Sequence, residues 1–276
     1  MLKPLLRWAG GKRWLTKEIH KYLPGIIRNY YEPFCGSCSI YYSIKKYLGE
    51  GQVYLSDLNG ELINFYRVLQ TNPAQLIDHL VTYENTERFY YYMRGKIADN
   101  EVERAARFYY LNRTSFNGIY RENLSGEYNV PYGFKKYMAL FDYDLIFENS
   151  SFLKDVVFVH DDFRWSEAFI GGDDFVFVDP PYTVSHNKNG FIKYNKKLFS
   201  LMDQKRLKDF LEILSGRRAR YLLTNAHHDT VYEIFSVNAV GVESDRYTPI
   251  SGGVKGREFT KEYIFTNYGF SCNGVA

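Results

Sequence analysis

Two stretches of the chain alternate short apolar strands with helical patterns, and that alternation admits few folds. In the first, Asn29 to Phe34 reads as a strand, Ser39 to Leu48 as a helix, Gln52 to Ser56 as a strand and Glu61 to Leu69 as a helix. The alternation resumes with strands at Val156–His160 and Phe175–Val178, a helix over Leu198–Leu214 and a strand over Arg220–Thr224. Tyr263–Thr266 reads as the last strand, after an antiparallel partner near Val240–Glu243. Strands separated by helical crossovers pair in parallel, so the fold class is α/β. An amphipathic helix over Lys12 to Leu23, stopped by Pro24, precedes the first strand.

Between the two stretches the pattern changes. Ala74–Val81, Glu87–Ile97 and Val102–Leu111 read as helices, and residues 114 to 150, rich in Asn, Gly and Tyr, as a loop-dominated surface. The division expected is a sheet domain of residues 1–60 and 155–270, a helical and loop insert over 61–154, and a tail over 271–276. With 26 Tyr, 21 Phe and 3 Trp in 276 residues, the chain has ample material for a core and is not a disordered one. No run of about 18 uncharged apolar residues occurs, so nothing is expected to span a membrane. The N-terminal residues lack the apolar core and small-residue cleavage site of a signal peptide, which points to the cytoplasm. Lys and Arg number 35 against 32 Asp and Glu, a net +3 that by itself neither requires nor excludes nucleic acid. Basic and aromatic residues do interleave at Arg113 to Arg121, Lys135-Lys136-Tyr137 and Lys188 to Lys197, a mixture suited to phosphates and stacked bases as well as to a solvated face.

The sharpest chemical signal is Asp179-Pro180-Pro181-Tyr182, directly after the apolar strand Phe175–Val178. A parallel strand delivers its loop to the carboxyl edge of the sheet, where open α/β folds place their sites. Two prolines stiffen the turn and remove two backbone donors, leaving a carboxylate beside bare carbonyls. That is an acceptor array for an –NH2 group, with the tyrosine ring as a face for a planar base. An exocyclic amine on adenine or cytosine is a poor nucleophile, because its lone pair is delocalised into the ring. Two acceptors draw its hydrogens out of plane and help the nitrogen attack an electrophile.

Three further segments stand out. Tyr31 to Ser39, containing Phe34 and Gly36, forms a strand, a small-residue turn and a helix start that suit a nucleotide-like ligand. Asp57 ends the next strand about 20 residues on, where a carboxylate accepts ribose hydroxyls; it equally fits a cap for the helix that follows. Arg7-Trp8-Ala9-Gly10-Gly11-Lys12 sets an indole and two cations around two glycines, fitting either a bracket for an aromatic cofactor or a surface turn. Cys35 and Cys38 have thiol-redox spacing, but Cys272 leaves neither a disulfide framework nor a zinc set. His227-His228-Asp229 has no further ligands at suitable spacing and reads as a loop, so no metal is expected.

Together these segments resemble the DNA adenine methyltransferase (Dam) family, the N6-adenine enzymes of the α arrangement or D12 class, over residues 3 to 268. The order matches: Arg7 to Lys12 first, then Glu32-Pro33-Phe34-Cys35-Gly36, the insert, and Asp179 to Tyr182. Leu111-Asn112-Arg113, Phe116 to Arg121 and Tyr128 to Gly133 match as well. Cys38 stands where the family usually has a second glycine, which makes both cysteines small fillers of a glycine loop.

The resemblance implies a Rossmann-like class I S-adenosylmethionine-dependent methyltransferase sheet with an inserted helical target-recognition module. It implies transfer of a methyl group from S-adenosylmethionine to adenine N6 in duplex DNA, at GATC or a site beginning GAT. Asp179, Pro180, Pro181 and Tyr182 would hold the flipped adenine. Trp8, Lys12, Phe34, Gly36, Asp57, Asp162, Phe163 and Asp179 would contact the cofactor. Arg7, Arg113, Phe116, Asn117, Ile119, Tyr120, Arg121 and Pro131 would meet DNA, with Arg121 on a guanine edge and Lys188 and Lys193 on phosphates from a closing loop over Thr183 to Lys197. Ser251 to Arg257 would form a basic hairpin tip. The resemblance leaves open whether such an enzyme has a cognate restriction endonuclease as partner or is an orphan regulator or phage enzyme. The alternatives are methylation of cytosine N4 or an RNA base, which Asp-Pro-Pro-Tyr alone does not separate, a catalytically silent DNA-binding module, and a thiol redox protein working through Cys35 and Cys38.

Overall fold

The computed structural model describes residues 2–12, 14–123, 125–134, 139–182, 199–236, 240–247 and 259–269. Lys188, Lys193 and the rest of the 183–197 loop, Lys135 to Tyr137, the 251–257 tip, Cys272 and the 271–276 tail lie outside the described residues.

Among the described residues, seven strands are ordered β3-β2-β1-β4-β5-β7-β6. They are β1 (Tyr30–Glu32), β2 (Val53–Asp57), β3 (Val156–His160), β4 (Phe175–Val178), β5 (Arg220–Ala226), β6 (Val240–Tyr247) and β7 (Phe259–Thr266). β1, β4 and β5 are parallel, with Val176 opposite Tyr31 and Tyr221. β7 runs antiparallel to both β5 and β6. Non-consecutive neighbours joined through helices make this the expected Rossmann-like α/β sheet.

The chain packs as two compact units, one of residues 1–11, 35–42 and 55–161, the other of residues 12–34, 43–54 and 162–276. This division follows packing and is a different matter from the catalytic segments expected at 1–60 and 155–270 and the recognition insert expected at 61–154.

The helices that precede β3 are α1 (Ser39–Ile44), α2 (Gly60–Thr71), α3 (Pro73–Leu80), α4 (Glu87–Gly95), α5 (Glu101–Thr114) and α6 (Tyr143–Leu153), and α2 to α6 belong to the first unit. Each of α2, α4, α5 and α6 begins where a polar side chain accepts an orphan backbone N–H: Asn59, Thr86, Asn100 and Asp142. α2 buries Leu62, Phe65, Tyr66 and Leu69, with Phe65 stacked on Tyr109 of α5 and Tyr66 on Phe158 of β3. α6 was not expected in the loop-rich 114–150 stretch. Its buried face carries Asn149 and Ser150 beside Ile146 and Leu153, which hides the apolar period. Asn149 tolerates burial because it accepts from the Tyr42 hydroxyl and donates to the Leu145 carbonyl.

In the second unit, α7 (Leu201–Gly216) starts at a reciprocal cap between Ser200 and Asp203. It lays Leu207, Phe210, Leu211 and Leu214 over a sheet face of Val176, Val178, Tyr221, Leu223 and Phe265. The helix expected over Lys12–Leu23 is instead two 3-10 turns, Leu15–Lys17 and Ile19–Tyr22. Pro24 forces Leu23 into extended backbone, and so short a segment gains little from a regular α-helix. The His227 to Asp229 segment is not a plain loop. His228 caps a seven-residue helix, α8 (Asp229–Phe235), and the His227 ring stacks on Tyr263. Among the described residues no cluster of three or more His, Cys, Asp or Glu is arranged to hold a metal, and no helix is long and apolar enough to cross a membrane.

Candidate active site

In the second unit, β4 ends at Val178 and delivers Asp179 to the carboxyl edge of the sheet. Lys12, only 2% exposed, places Nζ 2.7 Å from Oδ1 of Asp179. The Thr224 hydroxyl, near the end of the adjacent β5, donates to the same oxygen at 2.9 Å. Glu262 of β7, 1% exposed, lies 3.7 Å from Lys12 Nζ. Burial pushes the Asp179 carboxyl above its ordinary range; Glu262 adds to that, while Lys12 and Thr224 oppose it. Pro180 is buried, Pro181 is exposed, and the half-buried Tyr182 ring has Lys12 Nζ 4.8 Å from its centroid. Thr224 and Glu262 were not expected from the sequence. No local signal singles either out, since β5 also carries Arg220 and Asn225 and β7 also carries Thr260 and Lys261.

A second cluster in this unit gathers Phe34, Phe163 and Phe199. Phe34 stacks on Phe163 at 5.5 Å and meets Phe199 edge-on at 5.7 Å. Arg206 of α7 sits over the Phe163 ring and pairs with Asp162 at 2.9 Å. Asp162 also accepts from the Arg164 N–H, opening a 3-10 turn over Phe163–Ala168. Phe34, Asp162 and Phe163 are thus brought together; Phe163 lies in the core and Asp162 already has two donors.

In the first unit, Asp57 ends β2 and accepts from Gly36 N–H at 3.1 Å and from Asn59 N–H at 3.0 Å. Burial raises the Asp57 carboxyl and these donors oppose the rise. The cap of α2 is Asn59, so Asp57 is not spent on that duty. Gly36 has φ +46°, and a Cβ there would lie 2.6 Å from the Trp8 indole. Only glycine therefore allows this turn to rest on Trp8. Trp8 in turn stacks on Tyr120 at 5.5 Å and packs on Phe108. Cys35 and Cys38 are buried in this loop. Cys38 has φ +57°, the left-handed conformation that suits the glycine usual at this position.

The recognition segments also meet in this unit. Bridges between Ser115 and Tyr132 and between Glu122 and Tyr128 draw residues 115–122 against 128–132. Phe116 and Asn117 stand exposed on a tight turn with Asn117 at φ +57°. The Phe116 N–H donates to the carbonyl of the exposed Pro131 at 2.9 Å. Arg121 donates from Nε to Asn129 Oδ1 at 2.7 Å. Asn112, part of the Leu111-Asn112-Arg113 motif but given no role from sequence, bonds both backbone groups of Arg7, accepting at 3.0 Å and donating at 2.7 Å. The other residues expected on DNA are engaged within the protein. Arg113 donates to the carbonyls of Ala139 and Leu140, Tyr120 bonds Glu122, and the Ile119 carbonyl accepts from Tyr128 at 2.9 Å.

Residues 8–248 match the family of D12 class N6 adenine-specific DNA methyltransferases. The chain is 33% identical over 279 residues to the type II methyltransferase M1.LlaDCHI of Lactococcus lactis subsp. cremoris, covering 97% of this chain and 96% of that protein. It is 34% identical over 263 residues to the type II methyltransferase M.MjaIII of Methanocaldococcus jannaschii, covering 87% and 91%. A DNA adenine methylase of Haemophilus influenzae is 30% identical over 239 residues, covering 83% and 81%.

Proposed function

This chain belongs to the D12 class N6 adenine-specific DNA methyltransferases, and from that premise we propose that it methylates adenine N6 in duplex DNA at GATC or a site beginning GAT, with S-adenosylmethionine as donor. The observation that carries the reading is the Asp179 carboxylate, held through Oδ1 by Lys12 and Thr224 at the end of β4. With Oδ1 so engaged, Oδ2 and the carbonyl of Pro180 are the acceptors for the two amine hydrogens. The Tyr182 ring then stacks on the flipped base. Flipping costs a few kcal/mol, which stacking and hydrogen bonds in the pocket must offset.

The residues fit the donor. S-adenosylmethionine, when bound, supplies an electrophilic methyl group. Asp57 is a carboxylate whose burial leaves its charge poorly solvated, and a carboxylate accepts about four hydrogen bonds, enough to take ribose hydroxyls beyond its backbone donors. Gly36 keeps the backbone flat against Trp8, and Phe34 and Phe163 offer apolar surface for an aromatic ring. Lys12 serves by bracing Asp179.

On the DNA, Arg121 reads a guanine edge, Phe116 and Asn117 fill the gap left by the flipped base, and Ile119, Tyr120 and Pro131 offer apolar contact. Arg7 reaches the first base, while Arg113, Lys188 and Lys193 act on the backbone. Two relatives are named type II methyltransferases, which supports a partner restriction endonuclease with the same site. Methylome sequencing of an expressing host tests the whole reading. Methyl groups on cytosine N4, on RNA, or on adenines outside one short motif would sink it.

A further inference from the structure

The parallel strands β4 and β5 end at one edge of the sheet, and the antiparallel β7 begins there. That polarity sets Glu262 opposite Ala226, the last residue of β5, two positions beyond Thr224. Three neighbouring strands therefore converge on one cluster: Asp179 from β4, Thr224 from β5 and Glu262 from β7, with Lys12 between the two carboxylates.

One carboxylate is enough to neutralise a buried ammonium. A second in the interior is costly, and an apolar residue there serves stability as well or better. The cluster of Asp179, Glu262 and Lys12 carries a net charge of −1. We propose that Glu262 is a positioning residue of this enzyme: through Lys12 it holds the Asp179 carboxylate in place and keeps the cluster net negative during methyl transfer. The inference rests on the reading of Asp179 as the acceptor for the target amine.

The chemistry gives that charge a use. As the N6 lone pair forms its bond to the methyl carbon, the carbon–sulfur bond breaks and its electrons go to sulfur. The nitrogen is positive until it releases one proton to solvent water, leaving a neutral methylamine and a neutral thioether. A fixed negative cluster beside it lowers the energy of that charge, and needs no reorganisation because Lys12 and Thr224 already hold Asp179. With Asp179 and Lys12 alone the cluster would be neutral. Among the described residues, Lys12 and Thr224 bond Asp179, and Glu262 and the Tyr182 ring lie against Lys12. Burial is the first cause of the raised Asp179 carboxyl, and the Glu262 charge adds to it against Lys12 and Thr224.

The test is a pH profile of kcat for full-length Glu262→Gln and Glu262→Asp, with Asp179→Ala alongside. Thermal melts and S-adenosylmethionine binding verify that each variant folds. Glu262→Gln is expected to lower kcat by about tenfold or more while KM for DNA and donor stays within about twofold. Its acid limb should move to lower pH, because Asp179 loses a neighbouring negative charge. Glu262→Asp should keep the acid limb in place and retain more activity than the Gln variant. Normal kcat or an unmoved limb in Glu262→Gln overturns the proposal, as does an Asp variant that behaves like the Gln one. If the Gln variant does not fold, kcat of Glu262→Asp decides: a fall of about twofold or more at unchanged KM supports the positioning role, and an unchanged kcat overturns it. Turnover by Asp179→Ala would instead overturn the catalytic reading itself.

Discussion

Lys12 Nζ and the Thr224 hydroxyl both address Oδ1 of Asp179, at 2.7 Å and 2.9 Å. The carboxylate is thereby fixed by one oxygen and presents the other. Asp179→Asn keeps the shape and removes the charge, and it should cost about 10²-fold or more in kcat. The Asp179 carboxyl is raised, first by burial, and its protonated form cannot serve as the charged acceptor. The rate should therefore fall as pH drops through a value above the ordinary Asp pKa of about 3.9. A pH profile flat down to that value would contradict the assignment.

Asp57→Ala should weaken S-adenosylmethionine binding in the absence of DNA. Loss of hydrogen bonds to a charged acceptor is worth about 1.5–3 kcal/mol, or roughly 10- to 100-fold in Kd. Because Asn59 caps α2, the fold should survive. Calorimetry finding unchanged affinity would remove Asp57 from the donor site.

Arg121 donates from Nε to Asn129 Oδ1, which orients its guanidinium. Arg121→Ala should cost about 1–3 kcal/mol of discrimination at one base pair. Asn129→Ala should cost part of the same discrimination at the same position, with donor affinity unchanged. Methylation rates on the best site and its single-base variants measure this. Equal slowing on every substrate would make Arg121 a backbone contact.

Cys38 is buried at φ +57°. Cys38→Gly should relieve about 1–2 kcal/mol of backbone strain and forfeit roughly the worth of a small buried side chain, leaving the melting temperature little changed. Activity of Cys35→Ser/Cys38→Gly should match the parent with and without reductant. A folded, donor-binding but inactive double variant would restore a thiol role.

Glu103 of α5 accepts from the Asp99 N–H and from Lys96, and these bonds hold its carboxyl below the ordinary range. A lowered folded-state pKa means the fold binds this proton less well than the unfolded chain does. The stabilisation is therefore present above about pH 4.3 and is lost as pH falls through the folded value. Glu103→Gln should cost about 1–3 kcal/mol near neutrality. In denaturation at a series of pH values the gap should narrow toward acid; a constant gap would mean that charge is irrelevant there.

Local pattern was sufficient for much of this protein. The apolar run at Phe175–Val178 is buried on both faces, so its composition alone declares it a strand. The Pro-Pro turn after β4 and the glycine at position 36 are written in residue types, because rigidity and a positive φ are local demands. Elements whose buried faces are polar stayed hidden: α6 is stabilised through Asn149 by a bond to Tyr42, far away in the chain. The same holds for the partners of Asp179. Lys12 belonged to a motif that suggested a ligand contact, and Thr224 and Glu262 belonged to no motif. What unites them is strand order and direction: β5 lies beside β4, and β7 starts where both end. A buried charge is decided by what the sheet brings next to it, and no spacing along the chain encodes that.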